Sequence, residues 1–168
     1  MDLVKDSSRQ LFPEFCREQY LMVKGSREVL FAYCDTIAPS HFVAENTSYG
    51  RGGSMRNLLV HIANCYEFWI GRHALKKHKE ETAFSAVASV ASIRPIFNHV
   101  DSLVFEFLES MPSSHDTEIP FEINGVRGSA PPLKLFTHVI THEYHHKGQL
   151  LSLSRHLGYT PVDTDIMR

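Results

Sequence analysis

Four histidines, His138, His142, His145 and His146, fall within nine positions of the stretch THVITHEYHHKGQLL, residues 137–151. On a helix, at about 100° per residue, His142 and His146 stand one turn apart on the same face, where two imidazoles can share one metal ion. His142 continues the apolar stripe Leu135, Val139, Leu150, Leu153 and Leu157, so the pair is expected to face the interior, with His138 and His145 at the stripe's edge. A single histidine on an apolar face is ordinarily a hydrogen-bonded packing residue. Two at i and i+4 point elsewhere, because burying two neutral imidazoles costs desolvation that one divalent cation offsets for both.

A further ligand must come from another element. The phrase SMRNLLVHIANCYEFWI carries His61 among Leu58, Cys65, Phe68 and Trp69 at helical spacing, so His61 is expected to point into the core, where it could complete the set. Cys65, one turn on, is a possible further ligand, although a small core residue is the commoner role for a buried cysteine. Residues 142–146 also spell H-E-x-x-H, the zinc-peptidase pattern in which Glu143 would be the general base. The longer version of that pattern fails, because Gln149 and Ser152 stand where it wants glycine and histidine, and no glutamate follows Glu143. Glu143 also lies about 100° round the helix from His142, so a role beside the ligands or in the bundle interior fits better than catalysis.

The chain that positions these residues has 168 of them, a length that suits one domain over 1–168. With 17 basic and 19 acidic residues and no long basic run, it offers nothing that would track a phosphate backbone, and Lys76, Lys77 and Lys79 read as the solvated end of a helix. Nucleic acid is not an expected partner. Three scattered cysteines, Cys16, Cys34 and Cys65, do not form a secreted disulfide framework and point to a reducing compartment. The opening MDLVKDSSRQLFPEF lacks a signal-peptide core and no later stretch would span a membrane, so a cytoplasmic location without membrane partners is the default expectation.

Four amphipathic segments follow from the spacing. The first is predicted from about Pro13 to Ile37, with Phe15, Met22, Val29, Leu30, Tyr33 and Ile37 as its apolar residues and Cys16 along it, and with Pro39 as its stop. An irregular segment then ends in the turn-rich run from Ser48 to Gly53. Ser54 is a good N-cap for the second helix, which is expected to reach about His78. The third is expected to start between Ser85 and Ser92, near Ser92 or with a kink because of Pro95, and to end at Pro112, burying Ile96, Val100, Leu103, Phe107 and Leu108 and exposing His99. Between Ser113 and Pro132, the alternation of Ile119, Phe121 and Ile123 before Asn124-Gly125 predicts a small hairpin across one end of the bundle, able to cover a metal site or merely to link helices. The fourth helix is expected from about Pro132 to Leu157, capped by Gly158. The expected fold is all-α, an up-and-down four-helix bundle with a hairpin or irregular connector before the last helix.

The words HEYHHKGQ on the last helix and SMRNLLVHIANCYEFWI on the second resemble the DinB/YfiT-like superfamily of metalloenzymes, from the first helix to Leu157-Gly158-Tyr159. The resemblance implies a four-helix bundle, usually a homodimer, with a divalent metal on His61, His142 and His146. It places His145 in a non-ligand position and His138 in a variable one. Lys147 stands where many relatives have arginine, which puts a bidentate substrate contact there in doubt. Three histidines leave a coordination position open, the arrangement of a catalytic rather than a structural zinc site. Zinc or nickel is the first expectation for the ion, with iron, manganese and copper also compatible with imidazole. Relatives that activate low-molecular-weight thiols imply a metal-dependent S-transferase acting on a small-molecule substrate. The alternatives are a non-catalytic metal- or ligand-binding bundle of the stress response and, further off, a hydrolase using Glu143. Apolar residues off the main stripes, Phe31, Tyr66, Trp69 and Phe105, are consistent with the implied homodimer.

Overall fold

A computed structural model describes residues 3–45, 53–111 and 117–168, with side chains from Pro13 onward. The elements in chain order are α1 (Leu3–Cys34), a short α2 (Pro39–Val43), α3 (Met55–Tyr66) continued by a π-helical segment (Glu67–Ala74), α4 (Val90–Ser110), the strands β1 (Ile119–Ile123) and β2 (Val126–Ala130), and α5 (Pro132–His156). Four long helices form a bundle, and a two-stranded hairpin precedes the last, as the periodicity predicts.

Contacts between the helices set their directions. On α1 and α4, Tyr20 meets Phe105 and Phe31 meets Phe97, so these two run antiparallel. From α3 onward, Glu67 meets His99 and Lys77 meets Glu106, so this chain and α4 run the same way. The ends of α1 and α5 lie together, with the Ala38 N–H donating to the Tyr159 hydroxyl at 3.1 Å. The order is therefore up, down, down, up. Residues 75–89 make the return crossover that this order needs, held against α3 by Asn64, whose side chain bonds both backbone groups of Thr82 at 3.0 and 2.9 Å.

Local chemistry explains the element ends. Ser54 accepts from the Asn57 N–H at 3.0 Å, the N-cap expected for α3. Asn124 and Gly125 both have positive φ, 52° and 79°, which a two-residue hairpin turn requires, and Ile123 pairs with Val126. At the end of α5, the Tyr159 N–H reaches the Ser154 carbonyl and the Gly158 N–H that of Arg155, both at 3.0 Å, with Gly158 at φ 89°. That is a Schellman cap.

Several expectations need correction. The first helix begins at Leu3, so Pro13 lies inside it, and it ends at Cys34 before Pro39 opens α2. Phe15 and Met22 are exposed; the buried stripe of α1 is Cys16, Tyr20, Val23, Arg27, Leu30, Phe31 and Cys34. A stripe interrupted by Arg27 does not register in a pattern of apolar residues alone. The fourth helical turn of the second helix changes to π hydrogen bonding and stops at Ala74, short of His78. The start of α4 needs no correction, since Val90 lies inside the expected window and near Ser92, where Ser89 and Ser92 form a reciprocal capping box. His99 is exposed as expected, yet its Nε2 lies 2.8 Å from Glu67 Oε1. Phe31 and Tyr66 are core residues, 1% and 0% exposed, so neither is available to a dimer surface. The turn-rich run from Ser48 lies outside the described residues except for its final Gly53.

Candidate metal centre

The seam between α3 and α5 brings the expected histidines together. His142 Nε2 and His61 Nε2 are 3.2 Å apart, and one nitrogen from each of His61, His142 and His146 lies within 4.8 Å of the others. Metal–nitrogen bonds of 2.0–2.1 Å at tetrahedral angles would set neighbouring nitrogens roughly 3.3 Å apart. The spacing fits a single ion. The antiparallel crossing of α3 and α5 allows this, since His61 projects from one helix between two successive turns of the other, its ring centroid 4.9 Å from that of His142 and 4.7 Å from that of His146.

Neighbouring groups prepare the nitrogens. The Gln149 Oε1 atom lies 2.7 Å from His146 Nδ1, and since a carbonyl oxygen only accepts, Nδ1 carries the proton and Nε2 the lone pair. Gln149 is oriented in turn by its Nε2, which donates to His145 Nε2 at 3.1 Å. Burial pushes the His142 imidazole down to about 3, and the nearby His146, His61, His138 and His145 rings act in the same direction. The ring is therefore neutral at physiological pH, the form that binds a cation. His146 is buried, while His61 and His142 are half-buried, which leaves the cluster one side toward solvent.

His138 and His145 are exposed, as their phase predicts. Cys65 does not join the three histidines. It falls instead into a second group with His138 and His142, its Sγ 3.9 Å from His138 Nε2. Burial pushes the Cys65 thiol up to about 12.

Glu143 faces the other way. It is 0% exposed, and its Oε1 accepts from Arg27 Nε at 3.0 Å while its Oε2 accepts from the Tyr66 hydroxyl at 2.8 Å. Both oxygens are thus engaged inside the bundle, and the H-E-x-x-H match has no general base to offer. Arg27 goes on to donate to Asp101 Oδ1 at 2.7 Å, which also accepts from Tyr20 at 2.7 Å. Burial alone would raise Asp101, but the Arg27 charge and hydrogen bonds from Lys24, Arg27 and Tyr20 prevail and hold its carboxyl below the usual range. This network was missed in the sequence, although a signal was there: Arg27 and Asp101 each interrupt an apolar stripe at helical spacing, between Val23 and Leu30 and between Phe97 and Val104. Lys147 is likewise turned inward, 1% exposed, donating to Ser26 with its ammonium 4.0 Å from the Tyr144 ring centre. No substrate contact falls to it.

The hairpin reaches the seam only indirectly. Phe121 packs on Trp69 of the π segment at 5.1 Å between ring centres, and Trp69 packs on His138 at 5.2 Å.

A family model described as DinB family matches residues 9–168. The chain belongs to the DinB family. The match covers α1 from Arg9 onward, the other four helices and both candidate words, so the superfamily resemblance of the sequence holds over nearly the whole chain. A comparison with curated proteins finds no match. Within this DinB-family bundle, the histidine cluster is a candidate site for a divalent metal. None of the described helices is long and apolar enough to cross a membrane.

Proposed function

We propose that this DinB-family protein is a metal-dependent enzyme, a thiol-dependent S-transferase, in which His61, His142 and His146 hold one divalent ion. The observation that carries this reading is the convergence of three imidazoles from two helices at spacings that suit a single ion. Zinc or nickel suits three neutral nitrogens best, with iron, manganese and copper as alternatives. An ion held by three protein ligands supplies Lewis acidity to a small nucleophile at its open position.

The chain's own residues perform the remaining tasks. Gln149 fixes the tautomer of His146, and burial keeps His142 neutral. The Arg27–Glu143 pair locks α5 against α1 one residue away from His142. The nucleophilic sulfur must come from outside, since Cys65 is buried and its thiol is held protonated. In the transfer, the incoming thiol loses its proton to solvent and forms the new sulfur–carbon bond, while the leaving group departs with the bonding pair. The substrate is thus a small electrophile together with a low-molecular-weight thiol, and we propose a homodimer as the working assembly.

Elemental analysis of the purified protein, followed by conjugation assays with several cellular thiols before and after metal removal, tests the reading. Stoichiometric metal and metal-dependent conjugation are expected, both abolished by His61→Ala, His142→Ala or His146→Ala. Stoichiometric metal without turnover for any thiol would leave a non-catalytic metal-binding bundle.

A further inference from the structure

The α3–α5 seam continues past the three histidines. Cys65 stands one turn after His61 on α3, and His138 one turn before His142 on α5, so the antiparallel pair repeats the same crossing one step along. One ligand atom from each of Cys65, His138 and His142 lies within 4.8 Å of the others. Metal–sulfur and metal–nitrogen bonds of about 2.3 and 2.05 Å at tetrahedral angles would set sulfur and nitrogen roughly 3.6 Å apart. The observed 3.9 Å between Cys65 Sγ and His138 Nε2 needs only a few tenths of an ångström of closure. Trp69 packs edge-on against the His138 ring and limits its swing, while the exposure of His138 opens the group to solvent.

We propose that Cys65, His138 and His142 form a second, sulfur-bearing cation site, one helical turn from the first and sharing His142 with it, that takes an added soft divalent ion such as Cd2+. Sulfur sets its preference apart from that of the three imidazoles, because thiolate favours soft ions that carbonyl and carboxylate ligands bind poorly. On binding, the Cys65 S–H proton passes to solvent as the sulfur–metal bond forms. Cys16 and Cys34 are also free and buried, but neither belongs to such a group among the described residues. The proposal is independent of the transferase reading, and it holds or fails whether or not the three-histidine site is catalytic.

The test is a Cd2+ titration followed by the ultraviolet sulfur-to-cadmium charge-transfer band, in the wild-type protein and in His61→Ala, which removes a ligand of the first site only. Both are expected to show the band, saturating at one ion per chain in His61→Ala. Cys65→Ser should lose the band, and His138→Ala should weaken binding at least tenfold. Circular dichroism checks that each variant folds, with Cys65→Ala and His146→Ala as replacements for any that does not. X-ray absorption of cadmium-loaded His61→Ala should find one sulfur in the coordination shell. No band in His61→Ala, a band that survives loss of Cys65, or unchanged affinity in His138→Ala would each overturn the site.

Discussion

At the scale of single residues, phase round the helix separates the candidate ligands from their neighbours. His142 and His146 share a face of α5 with His61 opposite them, whereas His145 lies outside the cluster. Elemental analysis should therefore find metal retained in His145→Ala at neutral pH and lost from the three ligand variants. A pH dependence follows in the metal-free protein. His142 is held down to about 3 when folded, against roughly 6.5 for a free imidazole in the unfolded chain. Between those values the unfolded state binds the extra proton, so stability rises with pH across that window and is lost as pH falls through it. Asp101 acts in the same sense but lower, since its depressed carboxyl contributes above the ordinary carboxylate range and loses its contribution as pH falls below that range. Melting temperature against pH should show both steps, and His142→Gln should flatten the upper one while leaving the lower.

At the scale of elements, the seam depends on where α3 and α5 begin and end. Ser54→Ala removes the side-chain bond to the Asn57 N–H and should cost about 1 kcal/mol in denaturant unfolding. Gly158→Ala places a β-carbon at φ 89° and should cost about as much, roughly 1 kcal/mol. The hairpin has a different role to test. Its Phe121 touches Trp69 and His73, and its link to the histidines runs through Trp69 and His138. Replacing residues 117–130 by a Gly/Ser linker should leave metal content unchanged. Altered substrate kinetics in that variant would mark the hairpin as a cover over the seam, and lost stability with unchanged kinetics would mark it as a cap on the core.

At the scale of the whole molecule, one charged cluster joins the helices. Arg27 from α1 meets Asp101 of α4 and Glu143 of α5, with Tyr66 of α3 on the same glutamate. Arg27→Met leaves Glu143 and Asp101 with less compensation in the interior and should destabilise the fold by about 3–5 kcal/mol, read by urea denaturation. The proposed homodimer needs an outer surface, and with Phe31 and Tyr66 buried the exposed apolar residues of α1, Phe15, Leu21 and Met22, are the ones to test. Light scattering at micromolar concentration should give twice the chain mass, and Phe15→Asp with Met22→Asp should reduce it to that of one chain.

Local sequence alone determined four amphipathic segments by helical period, the hairpin by alternation and Asn124-Gly125, and the caps at Ser54 and Gly158 by residue type, because each depends on spacing or backbone freedom within a few residues. The pairing of His142 with His146 was equally local, being one turn of one helix. That His61 meets them was an expectation from its place on an apolar face, and only the antiparallel packing of α3 on α5 decided it. Tertiary structure alone decided the rest: the parallel course of α3 and α4, the turning of Glu143 toward Arg27, and the grouping of Cys65 with His138. Each of these depends on which helix faces which, a relation between residues about 30 to 120 positions apart that no period of 3.6 carries.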